Sequence, residues 1–424
     1  MFNQTFRQSS NQTTKQSNIN TTEYSLKSNS KKNSELKMKV PLLDLKPQYL
    51  SLKKEIDEAV QRVIESQYFI MGPDIAKLEE EICQYLGCKK AIGVSSGTDA
   101  LLLALMALNI QPGDEVIVPT YSFFATAGVV ARLNAIPVFV DCDPVTFNID
   151  HKKIEEKITS KTRAIIPVHL YGQSARMNEI MKIANRNNLF VVEDAAQAIG
   201  VQYKNGKFVG TIGDIGCFSF FPSKNLGGFG DGGIVTTNNE ALGEKMRIQR
   251  VHGMEPKYYH KMMGGNFRLD ALQAAVLRVK LPHLDSWSAK RRDNAATYTK
   301  YFVASGLATQ EGILVFDSKN KVLLPEAVYK NSGFKNHHIY NQYIIRVEKR
   351  NALIDFLRSK EIGCEIYYPV PFHRQECFAY LNCKDEDYPI SNCAANDSLA
   401  LPIYPELSSE QIKFVVESIS EFMQ

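Results

Sequence analysis

What this chain lacks narrows its chemistry before any motif is read. Its longest apolar run, Ala100–Leu108, falls well short of the roughly 20 residues that a membrane-spanning helix needs. No apolar leader core follows Met1, so export is not expected. The cysteines (Cys83, Cys88, Cys142, Cys217, Cys364, Cys377, Cys383 and Cys393) include no Cys-x-x-Cys pair. That spacing argues against zinc ribbons and dithiol redox motifs; no metal site is expected, and reduced thiols in the cytoplasm fit best. Charge imbalance is nearly missing too. The formal net charge is +4, and Met1–Met38, with six basic and two acidic side chains, accounts for it. The balanced remainder offers no electropositive face for nucleic acid.

What is present begins with a polar stretch. Residues 1–38 are rich in Asn, Gln, Ser, Thr and Lys. They cannot bury enough apolar surface to offset ordering entropy, so a disordered tail is expected. After it, Leu52, Ile56, Ala59, Val60, Val63 and Ile64 share one helical face, and Leu78, Ile82, Tyr85 and Leu86 another, with a loop expected at Gly72-Pro73. From Lys90 onward, β-rich runs at 115–119, 137–140, 164–167 and 190–193 alternate with helical patterns. This alternation predicts an α/β fold with a mostly parallel sheet covered on both faces, where ligands gather at strand C-terminal ends. One long helix is expected from Leu269 through Lys280 and past Ser288 toward Tyr301. The C-terminal third shows a strand near 340–347, a helix near 351–360 and a last helix over 408–422.

Three stretches carry chemistry. In Gly216–Gly233, Lys224 follows an apolar, aromatic strand and precedes a glycine-dense turn. A buried lysine loses its proton readily, and the free amine attacks carbonyls; a surface lysine in a flexible turn is the plainer alternative. In Leu189–Ala198, a buried strand ends on Asp194, which suits a carboxylate held against a pyridinium nitrogen as well as an ordinary turn. In Ala91–Ala100, a strand leads through Ser96-Gly97-Thr98 into a helix start. That is a phosphate seat or simply a capped helix. Gly228-Phe229-Gly230-Asp231-Gly232 is followed by the strand-like Gly233–Thr237, whereas a dinucleotide loop opens a helix, so a nicotinamide cofactor is rejected. No Walker sequence is present.

Together and in this order, Ser96-Gly97-Thr98, Glu193–Ala198, Ser219–Gly233, Gly265–Leu269 and Leu401–Pro405 resemble the DegT/DnrJ/StrS-type sugar aminotransferases, over roughly Val40 to the C-terminus. The resemblance implies the aspartate-aminotransferase-like fold (type I), with a tail over 1–38, a large cofactor-binding domain over 39–285 and a smaller α/β domain over 286–424. It implies pyridoxal 5′-phosphate as cofactor. Lys224 would bond it covalently and later shuttle a proton, and Asp194 would pair with its ring nitrogen. Phe123 would stack on the ring, and Gln197 would sit near its phenolic oxygen. Gly97, Thr98 and Ser219 would take the phosphate. Asn266 would reach the phosphate of a neighbouring subunit's cofactor, which implies a homodimer with shared sites. His373 is carried as a possible sugar contact, with a plain loop histidine the alternative. His169 is read as structural.

The implied reaction takes an amine from an amino acid, glutamate first, and gives it to a nucleotide-linked keto-deoxysugar, dTDP-linked first. A cyclitol aminotransferase, an amino-dehydratase and a non-enzymatic regulator on the same fold stay as alternatives. Related deoxygenating enzymes carry histidine in place of the lysine, so Lys224 favours transamination. One departure is Arg176, where the family usually has an acid; Ser174 is expected to cap that helix instead.

Overall fold

The computed structural model describes residues 38–424. The tail expected over 1–38 lies, apart from Met38, outside the described residues. The main sheet uses β1 (Lys90–Val94), β2 (Glu115–Pro119), β3 (Ile136–Val140), β4 (Thr162–Ile165), β5 (Phe190–Asp194), β6 (Ile215–Ser219) and β7 (Gly233–Thr237). Their order is β1-β7-β6-β5-β4-β2-β3. Only β7 runs against the others. The strands are short, apolar and almost wholly buried, as parallel strands covered on both faces must be.

Helices α1 (Lys46–Ser51), α2 (Lys53–Ser66) and α3 (Pro73–Leu86) precede β1. Pro73 starts α3 and Gly72 is its N-cap, so the break expected at Gly72-Pro73 is a helix start. Proline suits that position, because its missing N–H would find no partner there anyway. Next come α4 (Gly97–Ala107), α5 (Ala125–Arg132), α6 (Met177–Arg186), α7 (Glu240–Gln249), α8 (Ala271–Lys280) and α9 (Leu284–Ala304). The single long helix expected from Leu269 is therefore two helices. A 3-10 turn, Leu281–His283, separates them at Pro282, whose ring cannot accept a continuous ladder.

On one face of the sheet, α4 is buried on nearly every side, with Leu101, Leu103, Ala104 and Leu105 against Val116, Val118 and Ile166. On the other, α2, α3 and α8 meet through Ala59, Val63, Leu78, Ile82, Ala274 and Leu277. The chain then forms β8 (Tyr343–Arg346), α10 (Arg350–Ser359), α11 (Pro389–Asp397), β9 (Ser398–Leu401) and α12 (Ser409–Met423). Strands β8 and β9 pair antiparallel. Their core gathers Tyr298, Phe302, Ile345, Leu353, Val415 and Ile419, and takes in Val40 from the start of the described chain. Val40 bridges Ile362. Among the described residues, no helix is long and apolar enough to cross a membrane.

Leu103 is fully buried in α4. Leu103→Ala should lower stability by about 2–5 kcal/mol, as large-to-small changes in a close-packed core do, read as a drop in the urea unfolding midpoint.

Candidate active site

The C-terminal ends of β1, β2, β5 and β6 open onto one edge of the sheet, where a cavity of about 610 Å³ lies. It is lined by Gly97, Thr98, Phe123, Asp194, Gln197, Ser219 and Lys224, with Ser96, Ser223, Asp231, Gln342, Glu365, Tyr367 and Tyr368 around them. Seven of the nine residues singled out in the sequence thus share one space. Asn266 lines an adjoining cavity of about 560 Å³, which shares Ser96 and Asp231 with the first. His373 lines neither. It is buried, its Nδ1 lies 2.9 Å from Thr120 Oγ1, its Nε2 lies 3.1 Å from Asn392 Oδ1, and it stacks on Tyr388.

Sheet register builds one end of the cavity. Val94 and Ser219 both stand opposite Gly233, which brings the end of β6 against the first turn of α4. The fit is close: a Cβ on Gly97 would stand 2.7 Å from Ser219 Cβ. Ser96 caps α4, its Oγ accepting from Asp99 N at 3.0 Å. The first-turn N–H groups of a helix have no partner within it, and its dipole is positive there, so this corner accepts an anion.

Asp194 lies at the other end. Its Oδ2 accepts from Thr126 Oγ1 at 2.8 Å and its Oδ1 from Ala196 N at 3.2 Å. Burial nevertheless pushes its carboxyl up from the ordinary aspartate range, against those two hydrogen bonds and the charge of Lys224. A carboxyl so placed stays ionised best when a cation comes to face it.

Lys224 keeps some exposure to the cavity, but the surrounding protein pushes its ammonium down to about 8. The charge of Asp194 opposes that shift, and the two form no ion pair. Roughly a tenth of the amine is therefore free at pH 7, ready to attack a carbonyl or take a proton.

Glu193, adjacent to Asp194, is fully buried and points the other way. Its carboxylate accepts from the N–H groups of Gly210, Ile212 and Gly213 at 2.7–2.8 Å. His169 completes the set: its Nδ1 accepts from Ala175 N, so Nε2 carries the proton and donates to Glu193 at 2.9 Å. His169 thus ties the end of β5 to the segment before α6, while Glu193 itself holds the turn before β6. Gln197 is also engaged, Oε1 accepting from Tyr171 N and Nε2 donating to Tyr368 Oη.

Ser174 does not cap α6. Its hydroxyl donates to Ala175 O at 2.9 Å, and the N-cap position belongs to Arg176, with no side-chain cap. Ser174 stands two residues ahead of that N-cap, so its oxygen is not placed to accept from the first-turn N–H groups. Sequence reasoning missed Thr126 and Tyr368. Thr126 had a signal, since it lies one helical turn after Phe123. Tyr368 had none; only the fold brings residues near 367 over a site built from β1, β5 and β6.

The site, a buried acid, an unpaired lysine of lowered basicity and a helix-start anion seat around one cavity, fits a planar phosphorylated cofactor with a cationic ring nitrogen. The DegT/DnrJ/EryC1/StrS aminotransferase family matches residues 50–420. The chain belongs to that family. Among its relatives is a pleiotropic regulatory protein of Geobacillus stearothermophilus, 49% identical over 91% of this chain and 99% of the other. Another is the UDP-N-acetyl-3-dehydro-alpha-D-glucosamine 3-aminotransferase of Acidithiobacillus ferrooxidans, 43% identical over 88% and 95%. A solved structure of S. venezuelae DesV with a ketimine intermediate is similar at a TM-score of 0.83 and 37% identity, covering 91% of this chain and 99% of that one. The protein is a pyridoxal-phosphate-dependent aminotransferase of the aspartate-aminotransferase-like fold.

The lowered Lys224 value sets a pH dependence. The neutral amine is the nucleophile, so capture of pyridoxal phosphate by the apo-aminotransferase should quicken as pH rises through about 8, rather than near the free-lysine value of roughly 10.4. Stopped-flow absorbance of wild type, with Lys224→Ala as the blank, measures it.

Proposed function

We propose that this aminotransferase moves the amino group of an amino-acid donor, L-glutamate, onto the keto carbon of a nucleoside-diphosphate-linked deoxysugar, making an amino sugar for polysaccharide or antibiotic synthesis. The observation that carries this reading is the single cavity holding Lys224, Asp194 and the α4 anion seat, in a chain 43% identical to an aminotransferase named for a UDP-linked keto sugar. Its volume suits a cofactor and a sugar ring.

When bound, pyridoxal phosphate supplies an electron sink for the charge left at the donor Cα. Asp194 would pair with the ring nitrogen and keep it protonated, with Thr126 fixing the carboxylate's orientation. Lys224 Nζ takes the proton from the donor Cα, and on the return half-reaction delivers one to the sugar carbon that gains the amine. The α4 first turn, with Thr98 and Ser219, would hold the phosphate. Phe123 would pack against the ring, and its neighbour Tyr368, 6.2 Å away between ring centres, would help exclude water.

The working unit is a homodimer. Asn266 is exposed at its cavity, where a second copy's cofactor phosphate would meet it. Nearby Ile70 is 48% exposed, and Tyr68, Phe221 and Phe229 of the same chain are at least half exposed, which is costly for large apolar groups left in water. The cysteines of the described residues are free thiols, in keeping with the cytoplasm. A purely regulatory role draws support from the Geobacillus relative's name; the complete lysine, acid and anion seat favours catalysis.

Incubating the protein with glutamate and a panel of dTDP- and UDP-linked 3- and 4-keto sugars should yield an amino sugar by mass spectrometry, abolished in Lys224→Ala. Oxoglutarate formation with none of them, but with a cyclitol ketone, would move the substrate assignment. Lys224→Ala and Asn266→Ala should each be inactive alone, yet regain activity when mixed and re-dimerised, because one of the shared sites then carries both native residues. No recovery would place Asn266 in its own chain's site.

A further inference from the structure

The turn that carries Lys224 is gripped from beneath by a buried lysine that nothing above uses. Lys280, at the end of α8, is 4% exposed. Its Nζ donates to Gly227 O at 2.6 Å and lies 5.5 Å from the centre of the Phe229 ring. Among the described residues no carboxylate forms an ion pair with it; burial pushes its ammonium down to about 8, against the longer-range pull of Glu406. An ammonium in such a place lowers stability, and a methionine of similar length would fill the space without that cost. The charge is therefore retained for something other than packing.

What it holds is specific. Gln273, two turns earlier on α8, accepts from Phe229 N through Oε1 at 2.7 Å. The two side chains thus take hold of the same turn at a carbonyl and at an N–H. The glycines record the closeness: a Cβ on Gly228 would stand 2.8 Å from Gln273 Oε1. From the opposite side Asn225, next to Lys224, donates to Ile339 O and accepts from Asn341 Nδ2. Lys224 therefore sits on a turn clamped at both ends, while its own amine makes no bond.

We propose that Lys280, seconded by Gln273, is a positioning residue for the reaction: by holding Gly227 O it fixes the backbone of the Lys224 turn. The amine can then leave its covalent partner and return to act on the same carbon without the turn drifting. This rests on Lys224 being the catalytic amine. Displacement of a reacting group by an ångström costs one to two orders of magnitude in rate, whereas the fold should hardly notice the loss.

The experiment compares wild-type holoenzyme with Lys280→Met, Lys280→Gln and Gln273→Ala. Hydrogen exchange of the peptide spanning residues 220–233 should quicken at least severalfold in Lys280→Met, with the peptides of α4 and β5 unchanged. The glutamate half-reaction should slow roughly tenfold to a hundredfold at saturating donor, with Tm equal to or above wild type. Lys280→Gln, which keeps a donor, should recover part of the rate, and Gln273→Ala should loosen the same peptide. Unchanged exchange and rate in Lys280→Met would overturn the proposal. So would a slowed rate without local loosening, or a general loss of Tm accompanied by normal exchange in Gln273→Ala. A wild-type holoenzyme that fails to react with any amino acid would instead overturn the catalytic reading of Lys224.

Discussion

Asp194 and Lys224 face one cavity without closing into an ion pair. Had they met, each would have satisfied the other, and the space between them would hold nothing. Kept apart, the acid is pushed up and the amine down by the same cause, removal from water. Each is left short of a partner that a cationic ring nitrogen and a carbonyl carbon, at opposite ends of one planar molecule, would supply. The rest of the large sheet can be understood as the means of keeping that separation.

Two consecutive acids at the end of β5 show how it is done. Side chains alternate across a strand, so Glu193 and Asp194 point to opposite sides. Glu193 collects three backbone N–H groups and His169, and in doing so locks the turn before β6 to the end of β5. Asp194 receives only two hydrogen bonds and looks into the cavity. One carboxylate is spent on architecture, so that its neighbour can be left for chemistry. The Lys224 turn is treated in the same way, with Asn225, Gly227 and Phe229 all tied down and the lysine amine left free.

Much of this was legible in the chain. The strands at 115–119 and 190–194, the helix start after Ser96 and the strand after Gly232 all announce themselves by period and punctuation, and local signals suffice where an element is continuous and its environment uniform. Legibility failed where a choice depended on competition between near partners. Ser174 came to stand two residues ahead of the helix N-cap, bonded to its neighbour's carbonyl. Leu269 onward kept its helical periodicity straight through Pro282, yet the chain broke there. For His373 the chain left a sugar contact and a plain loop histidine both open; its two ring nitrogens are engaged by Thr120, far away in the chain, and by Asn392.

The sequence by itself determined the identities that the chemistry needs: an amine, an acid and a glycine-thonged helix start, each at the end of an apolar strand, because those requirements are written in single residues and their immediate neighbours. Only the tertiary structure decided which of them share a space and what supports them. The approach of Gly97 to Ser219, the arrival of Tyr368 over Gln197 and the grip of Lys280 on Gly227 join residues far apart in the chain, and such contacts are fixed by strand register and helix placement, not by local preference.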